Sequence, residues 1–254
     1  MPQVRAATVA DVVAAVEAGL RDFRRSPRYG LFFGGFYALG GLLAVYLTAA
    51  AGLAWVAMPL TAGFALLGPF AAVGLYEVSR RLEAGEALSW RAVLGCIIGQ
   101  GGREMGWMAL VSVFAFIMWM YQIRLMVALF FGFSSLEASA FWQNLFLTAN
   151  GLTFLAIGTA WGAVLSVVVF TLTVVSFPLL LDRDRDFITA MITSVQAVVA
   201  SPKVMVGWGL ITAALLFLSA MPLFMGLVVV LPVLGHATWH LYRRIVLPEA
   251  VTAA

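Results

Sequence analysis

Long apolar runs alternate along this chain with short amphipathic stretches, and their spacing predicts an all-α polytopic membrane protein with six spans. The first amphipathic stretch reads as a helix over 8–26, capped by Thr8 with Asp11. Val9, Val12, Val13, Val16, Leu20 and Phe23 fall on one face, opposite Asp11, Arg21, Asp22, Arg24 and Arg25. A narrow apolar stripe with a charged back lies on a membrane surface or on a neighbouring helix. Ser26-Pro27 ends it. The apolar run from Gly30 to about Ala50 is then long enough, at about 1.5 Å per residue, to cross a core of about 30 Å. Its glycines, Gly30, Gly34, Gly35, Gly40 and Gly41, let helix backbones approach closely. A second span, Leu53 to Tyr76, carries Pro59 near its start and Pro69 inside it, where a kink is expected. The first hairpin therefore covers 30–81 and returns to water at Glu77, Arg80 and Arg81.

Ser89 begins a second surface helix over 89–100, with Trp90, Val93, Leu94, Ile97 and Ile98 on one side and Gly101-Gly102 after it. The second hairpin covers 105–181. Its first span is clean from Met105 to Tyr121 and then meets Arg124, which either snorkels to the outer interface or lines a polar interior. Tyr121 and Gln122 beside it favour the interface. Ser134 to Asn150, with Glu137, Trp142, Gln143 and Asn144, reads as an interfacial or partly re-entrant connection. The next span, Gly151 to Leu181, is longer than a bilayer requires, and Gly158 with Gly162 makes a small-residue face. It ends at Ser176-Phe177-Pro178, followed by Asp182, Arg183, Asp184, Arg185 and Asp186. A third surface helix over 186–201 puts Phe187, Ile188, Met191, Val195 and Val198 on one side and stops at Ser201-Pro202. The third hairpin, 204–244, holds the spans Val204 to Ala220 and Leu223 to Leu241.

The first and third hairpins repeat. Met58-Pro59-Leu60, Gly63, Pro69 and Arg80-Arg81 recur in order as Met221-Pro222-Leu223, Gly226, Pro232 and Arg243-Arg244, at one constant displacement. Aligning the two Ser-Pro pairs matches Val13, Val16, Leu20 and Phe23 with Ile188, Met191, Val195 and Val198. The third hairpin is expected to be the shorter, because its first span has lost length. The repeat also sets His240 in the place of Glu77, so these two are expected to face one another near the boundary unless each reaches water. Fourteen of the fifteen Lys and Arg residues share one side and Arg124 takes the other. By the positive-inside rule both termini are cytoplasmic. The two hairpins then have the same orientation, and the repeat is parallel.

Composition adds the class and removes others. With 63% hydrophobic and 11% charged residues the chain lies outside the globular balance, and a net charge of +3 borne at helix ends implies no nucleic acid. The charged, amphipathic first 30 residues do not read as a cleaved signal, so the amino terminus is expected to be retained. The one cysteine, Cys96, has no disulfide partner and reads as a small apolar residue. His236 and His240, the two histidines, share a helix face at i, i+4, a spacing that could ligate haem or a metal. No further His and no second Cys accompanies them, and interfacial Trp239 and Tyr242 lie beside them. Asp182 to Asp186 could bind a cation, or could cap and pair at a helix start. Scarce polar groups within the spans count against ion-coupled transport.

At Ser176 to Arg183, Thr189-Ala190-Met191, Thr193-Ser194-Val195 and Leu231 to Arg244, and at Leu75-Tyr76-Glu77 with Arg80-Arg81, the chain resembles a family of uncharacterised predicted integral membrane proteins of proteobacteria. Some of its members are labelled putative cytochrome c oxidase subunits. The resemblance implies this fold and a bacterial inner-membrane location, and no catalytic residue. A catalytic oxidase subunit needs histidines on several helices, whereas this chain has two on one. The expectation is a non-enzymatic partner of a larger inner-membrane assembly, such as a respiratory oxidase. The alternatives are a channel or transporter for a small neutral or apolar solute, and haem or metal binding at the histidine pair.

Overall fold

Ser26 and Ser201 each end one helix and begin another, because the following proline disfavours helical geometry at the residue before it yet suits the first helical position. The computed structural model describes residues 1–47, 71–101, 104–132 and 138–248, with backbone alone at 100–101 and 138–142. Met58-Pro59-Leu60, Gly63 and Pro69, which mark the first copy of the repeat, lie outside the described residues, as do Arg103 and Glu137. The helices are α1 (Val9–Arg25), α2 (Pro27–Val45), α3 (71–84), α4 (Trp90–Gly101), α5 (Glu104–Phe131), α6 (Ala138–Leu147), α7 (Ala149–Thr173), α8 (Ser176–Asp182), α9 (Phe187–Ala200), α10 (Pro202–Ala220) and α11 (Leu227–Ile245). Among the described residues the only extended pairing is one bridge, Val4 with Val246. Among the described residues four stretches are long and apolar enough to cross a bilayer: α2, α5, Ala149–Asp182 and α10.

The chain forms two compact units, Met1–Leu110 with Thr171–Ala254, and Val111–Phe170. In the first, α1 and α2 both pack along α11. The approach is backbone to backbone. A β-carbon on Gly19 would stand 2.6 Å from the Ala237 amide nitrogen, and one on Gly34 would stand 2.6 Å from the Val228 carbonyl oxygen. The amphipathic helix α1 lies on α11, and α9 lies on α8. Likewise α4 meets α3, where Val93, Trp90 and Ile97 join Leu75, Val78 and Ala71 in one apolar cluster. The terminal strands tie off this end, with Arg5 N–H donating to Ile245 O and Leu247 N–H to Gln3 O, both at 2.9 Å.

The structure decides three points. Of the two settings open to the valine stripe of α1, the neighbouring helix is not taken: the face against α11 is Asp11, Ala15, Ala18, Gly19 and Asp22, while Val9 and Val13 are exposed. Small residues win because they alone permit contact with the α11 backbone. Second, α11 begins at Leu227 rather than at the expected Leu223. Residues 221–226 form turns, with Leu223 (φ 51°) and Phe224 (φ 63°) left-handed. Each such residue costs about 1 kcal/mol or more, and the Phe224 ring lying against Gly41 offsets part of it. Third, the long fourth span breaks at 174–175. Pro178 has no N–H for the carbonyl of residue 174 and crowds it. The Val175 N–H donates instead to Ser194 Oγ at 3.1 Å.

In the second unit the small-residue face of α7 is already used, since Gly162 receives the Trp119 ring and Gly158 lies beside Met126. Phe130 and Phe131 meet Phe154 edge-on. An open cleft of about 500 Å³ lies between Trp119, Ile123, Phe154 and Ser166. Arg124 is exposed on α5 and lines no polar interior among the described residues. A 28-residue helix is about 42 Å long, so a residue seven positions from its end lies within reach of an interface.

Gly19→Ala should destabilise the solubilised protein by about 2–3 kcal/mol, because the added carbon meets backbone that cannot step aside. Gly207→Ala, with open space around it, should be neutral or slightly stabilising; unfolding midpoints of the two variants in mixed micelles make the comparison.

Candidate functional site

Polar side chains cluster where α1, α3 and α11 meet, and this grouping is the best candidate for a site. Asp22 from α1 is buried. Its Oδ2 accepts from Ser79 Oγ on α3 at 2.8 Å and lies 2.7 Å from His240 Nε2 on α11. Ser79 Oγ also lies 2.8 Å from His236 Nδ1. Proton accounting orients the chain of bonds. The one hydroxyl proton goes to the carboxylate, so His236 Nδ1 must donate to Ser79, and His236 Nε2 is left as an acceptor. That nitrogen is buried and has no partner. The serine sits between acid and imidazole, whereas a serine nucleophile requires the imidazole between serine and acid. All three side chains are shielded from water. The arrangement locks three helices together.

Burial pushes the Asp22 carboxyl up. The hydrogen bonds from His240 and Ser79, with the histidine charges, outweigh it and hold the group below the ordinary carboxylate range. Glu77 follows the same logic on α3. Its side chain is 3% exposed, yet Arg80 Nε and Arg81 Nε donate to it at 2.7 and 2.6 Å. Burial raises its pKa, the bond to Arg80 leads the opposing effects, and the net direction is down. The expected meeting of Glu77 and His240 does not occur, nor does Glu77 reach water. The arginines three and four residues on claim it within its own helix, and Asp22 claims His240. Burial, then the Glu77 charge, pushes the Cys96 thiol up to about 11, away from nucleophilic reactivity.

A second polar group closes the same end. Asp182 Oδ2 accepts from Tyr242 Oη at 2.6 Å and Arg243 Nη1 at 3.2 Å, and lies 3.6 Å from Arg183 Nε. Arg243 Nε and Trp239 Nε1 donate to Glu83. Arg183 also reaches the Leu247 carbonyl at 2.8 Å. Asp186 caps α9, accepting from the Thr189 amide and hydroxyl. Asp184 and Arg185 flank a small polar recess with Glu104, and Arg244 is exposed. Pro178 is buried in the first turn of α8. The two histidines thus take separate partners, and among the described residues no three His, Cys, Asp or Glu side chains converge to hold a metal.

Asp22 and Ser79 are the residues that sequence reasoning missed. A signal for Asp22 was present: Asp11, Ala15, Ala18, Gly19 and Asp22 form a continuous small-residue stripe at helical spacing. Ser79 carries no such signal.

Buried polar clasps beneath long apolar helices define the class, an integral membrane protein of several apolar helices. Residues 57–182 match the model of a family described as predicted integral membrane protein (DUF2189), a family of unknown function. No curated protein and no solved structure matches the chain significantly.

Asp22→Ala should cost about 2–4 kcal/mol, because it strips two buried donors of their acceptor. Asp22 and Glu77 both have depressed pKa values in the folded chain. Their stabilisation is therefore present above the unfolded carboxyl value, about 4, and is lost as pH falls through the lower folded values. Unfolding midpoints measured across acid pH should drop below about pH 4. Glu77→Gln should flatten that drop, and an unchanged acid limb would count against the assignment.

Proposed function

We propose that this is a non-enzymatic bacterial inner-membrane protein with both termini cytoplasmic. It holds six spans in three hairpins and serves as an accessory or stabilising component of a larger membrane complex. The observation that carries this reading is where the chemistry goes. Asp22, Glu77, Glu83 and Asp182 are spent on partners within the chain, while Phe114, Tyr121, Leu125, Leu129 and Val164 leave broad apolar faces outward on the second unit. A parallel repeat of the first and third hairpins is supported by the matched junctions. Ser26 (φ −135°, ψ 52°) and Ser201 (φ −150°, ψ 64°) bend alike, and Pro27 and Pro202 each open the helix that follows. A respiratory oxidase is the partner offered by the family resemblance. Tagged protein expressed at its native level and extracted in mild detergent should carry membrane-complex subunits in stoichiometric amount. Recovery alone would overturn the reading.

One observation favours the alternative of a small neutral solute. A cavity of about 200 Å³ lies among Tyr37, Tyr76, Leu216, Leu231, Thr212 and Thr238, and the Thr212 hydroxyl is buried without a partner. Flux of small alcohols into proteoliposomes, reduced in Thr212→Val and independent of any other protein, would move the assignment there.

A further inference from the structure

The cations and acids of the first unit are not treated alike. Asp11, Asp22, Glu77 and Asp182 are paired internally. Arg21, Arg24 and Arg25 are exposed and make no hydrogen bond or ion pair among the described residues. Glu17 is the one exposed acid of α1. Arg28, one turn further on, is also exposed. Among the described residues its polar interactions are with its neighbour Tyr29, by a 3.2 Å bond from Nη2 and by its guanidinium 4.9 Å from the ring. These four cations bracket Pro27, the first residue of a bilayer-length apolar helix, so their position is at the edge of the membrane.

The third hairpin offers an internal comparison. Aligned on the Ser-Pro pairs, Gln196, Val199, Ala200 and Lys203 stand where α1 and α2 have Arg21, Arg24, Arg25 and Arg28. The junction there bends the same way. Three of the four arginines are therefore dispensable for the turn, and helix capping does not account for them. Each guanidinium presents a planar fork that matches a phosphate, and the exposed Val9 and Val13 leave an apolar strip on the same helix.

We propose that Arg21, Arg24, Arg25 and Arg28 form a docking surface for the phosphate headgroups of anionic phospholipids in the leaflet at which α2 begins. This goes beyond the accessory role and does not depend on it.

The test uses the full chain in detergent with equimolar phosphatidylglycerol and phosphatidylcholine of matched acyl chains, and native mass spectrometry of the retained lipid. The unmodified protein should retain the anionic lipid in excess, by on the order of five-fold per engaged arginine at low salt. Substituting Arg21→Gln, Arg24→Val, Arg25→Ala and Arg28→Gln together should bring the ratio near one, while Lys203→Gln leaves it unchanged. Should the combined variant fail to fold, the unmodified protein still decides. Its preference should collapse between about 0.05 and 0.5 M salt as screening shortens to a few ångströms, and excess inorganic phosphate should not abolish it at fixed ionic strength. Equal retention of both lipids, a preference that survives in the folded combined variant, a salt-independent preference, or loss of the preference to free phosphate would overturn the proposal.

Discussion

A helix can lie backbone to backbone against another only where side chains are missing, and the first unit depends on this at Gly19 and Gly34. These two positions bring α1 and α2 onto one helix, α11, close enough that neither tolerates a β-carbon without displacing main chain. In lipid, where apolar side chains gain little by leaving their solvent, such close contact is the main source of association. The same closeness explains the junction at Ser26. The chain must turn there so that two successive helices can share one partner, and Pro27 stops α1 from running on.

Close packing has an electrostatic consequence. It carries Asp22 into the interior, where an isolated carboxylate costs several kcal/mol. Each hydrogen bond to a charged group returns about 1.5–3 kcal/mol. Two donors, from Ser79 and His240, are therefore about what the position requires, and they come from two other helices. The acid becomes a fastener between elements distant in sequence. Glu77 solves the same problem locally, with two arginines of its own helix. Arg21, Arg24 and Arg25, beside the start of α2, stay exposed outside these pairings.

The packed stripe of α1 reappears in α9. Asp186, Ala190, Thr193, Ser194 and Ala197 take the aligned places of Asp11, Ala15, Ala18, Gly19 and Asp22. The first pair is aspartate in both, though Asp186 is exposed, and the next three pairs are small in both. The difference at the fifth, Ala197 for Asp22, removes the buried charge, and α9 packs on α8 rather than on α11. Similar helices thus serve two settings, one fastened by a buried acid and one by contact alone.

Element type and order were legible in the sequence because they are local. Ser-Pro punctuation, apolar runs and the capping of α1 by Thr8 and Asp11 are each carried by residues within a turn or two, and they placed most helix ends within a few positions. The Met-Pro turn before α11 is legible, but it runs on to Gly226 rather than ending at Pro222, and there the Phe224 ring lies against Gly41 of a different helix. Hydrophobicity leaves the valine stripe of α1 free to lie on the membrane or on a helix, because it predicts burial in water and says little beside a membrane, where shape decides. Ser79 lies 57 residues from Asp22, and His240 lies 218 from it. No periodicity connects positions so far apart. The sequence by itself determined a helical membrane chain with its breaks and charged rim. Which faces turned inward, and which donors met the buried acid, only tertiary structure decided, since those outcomes depend on contacts between helices rather than on any one of them.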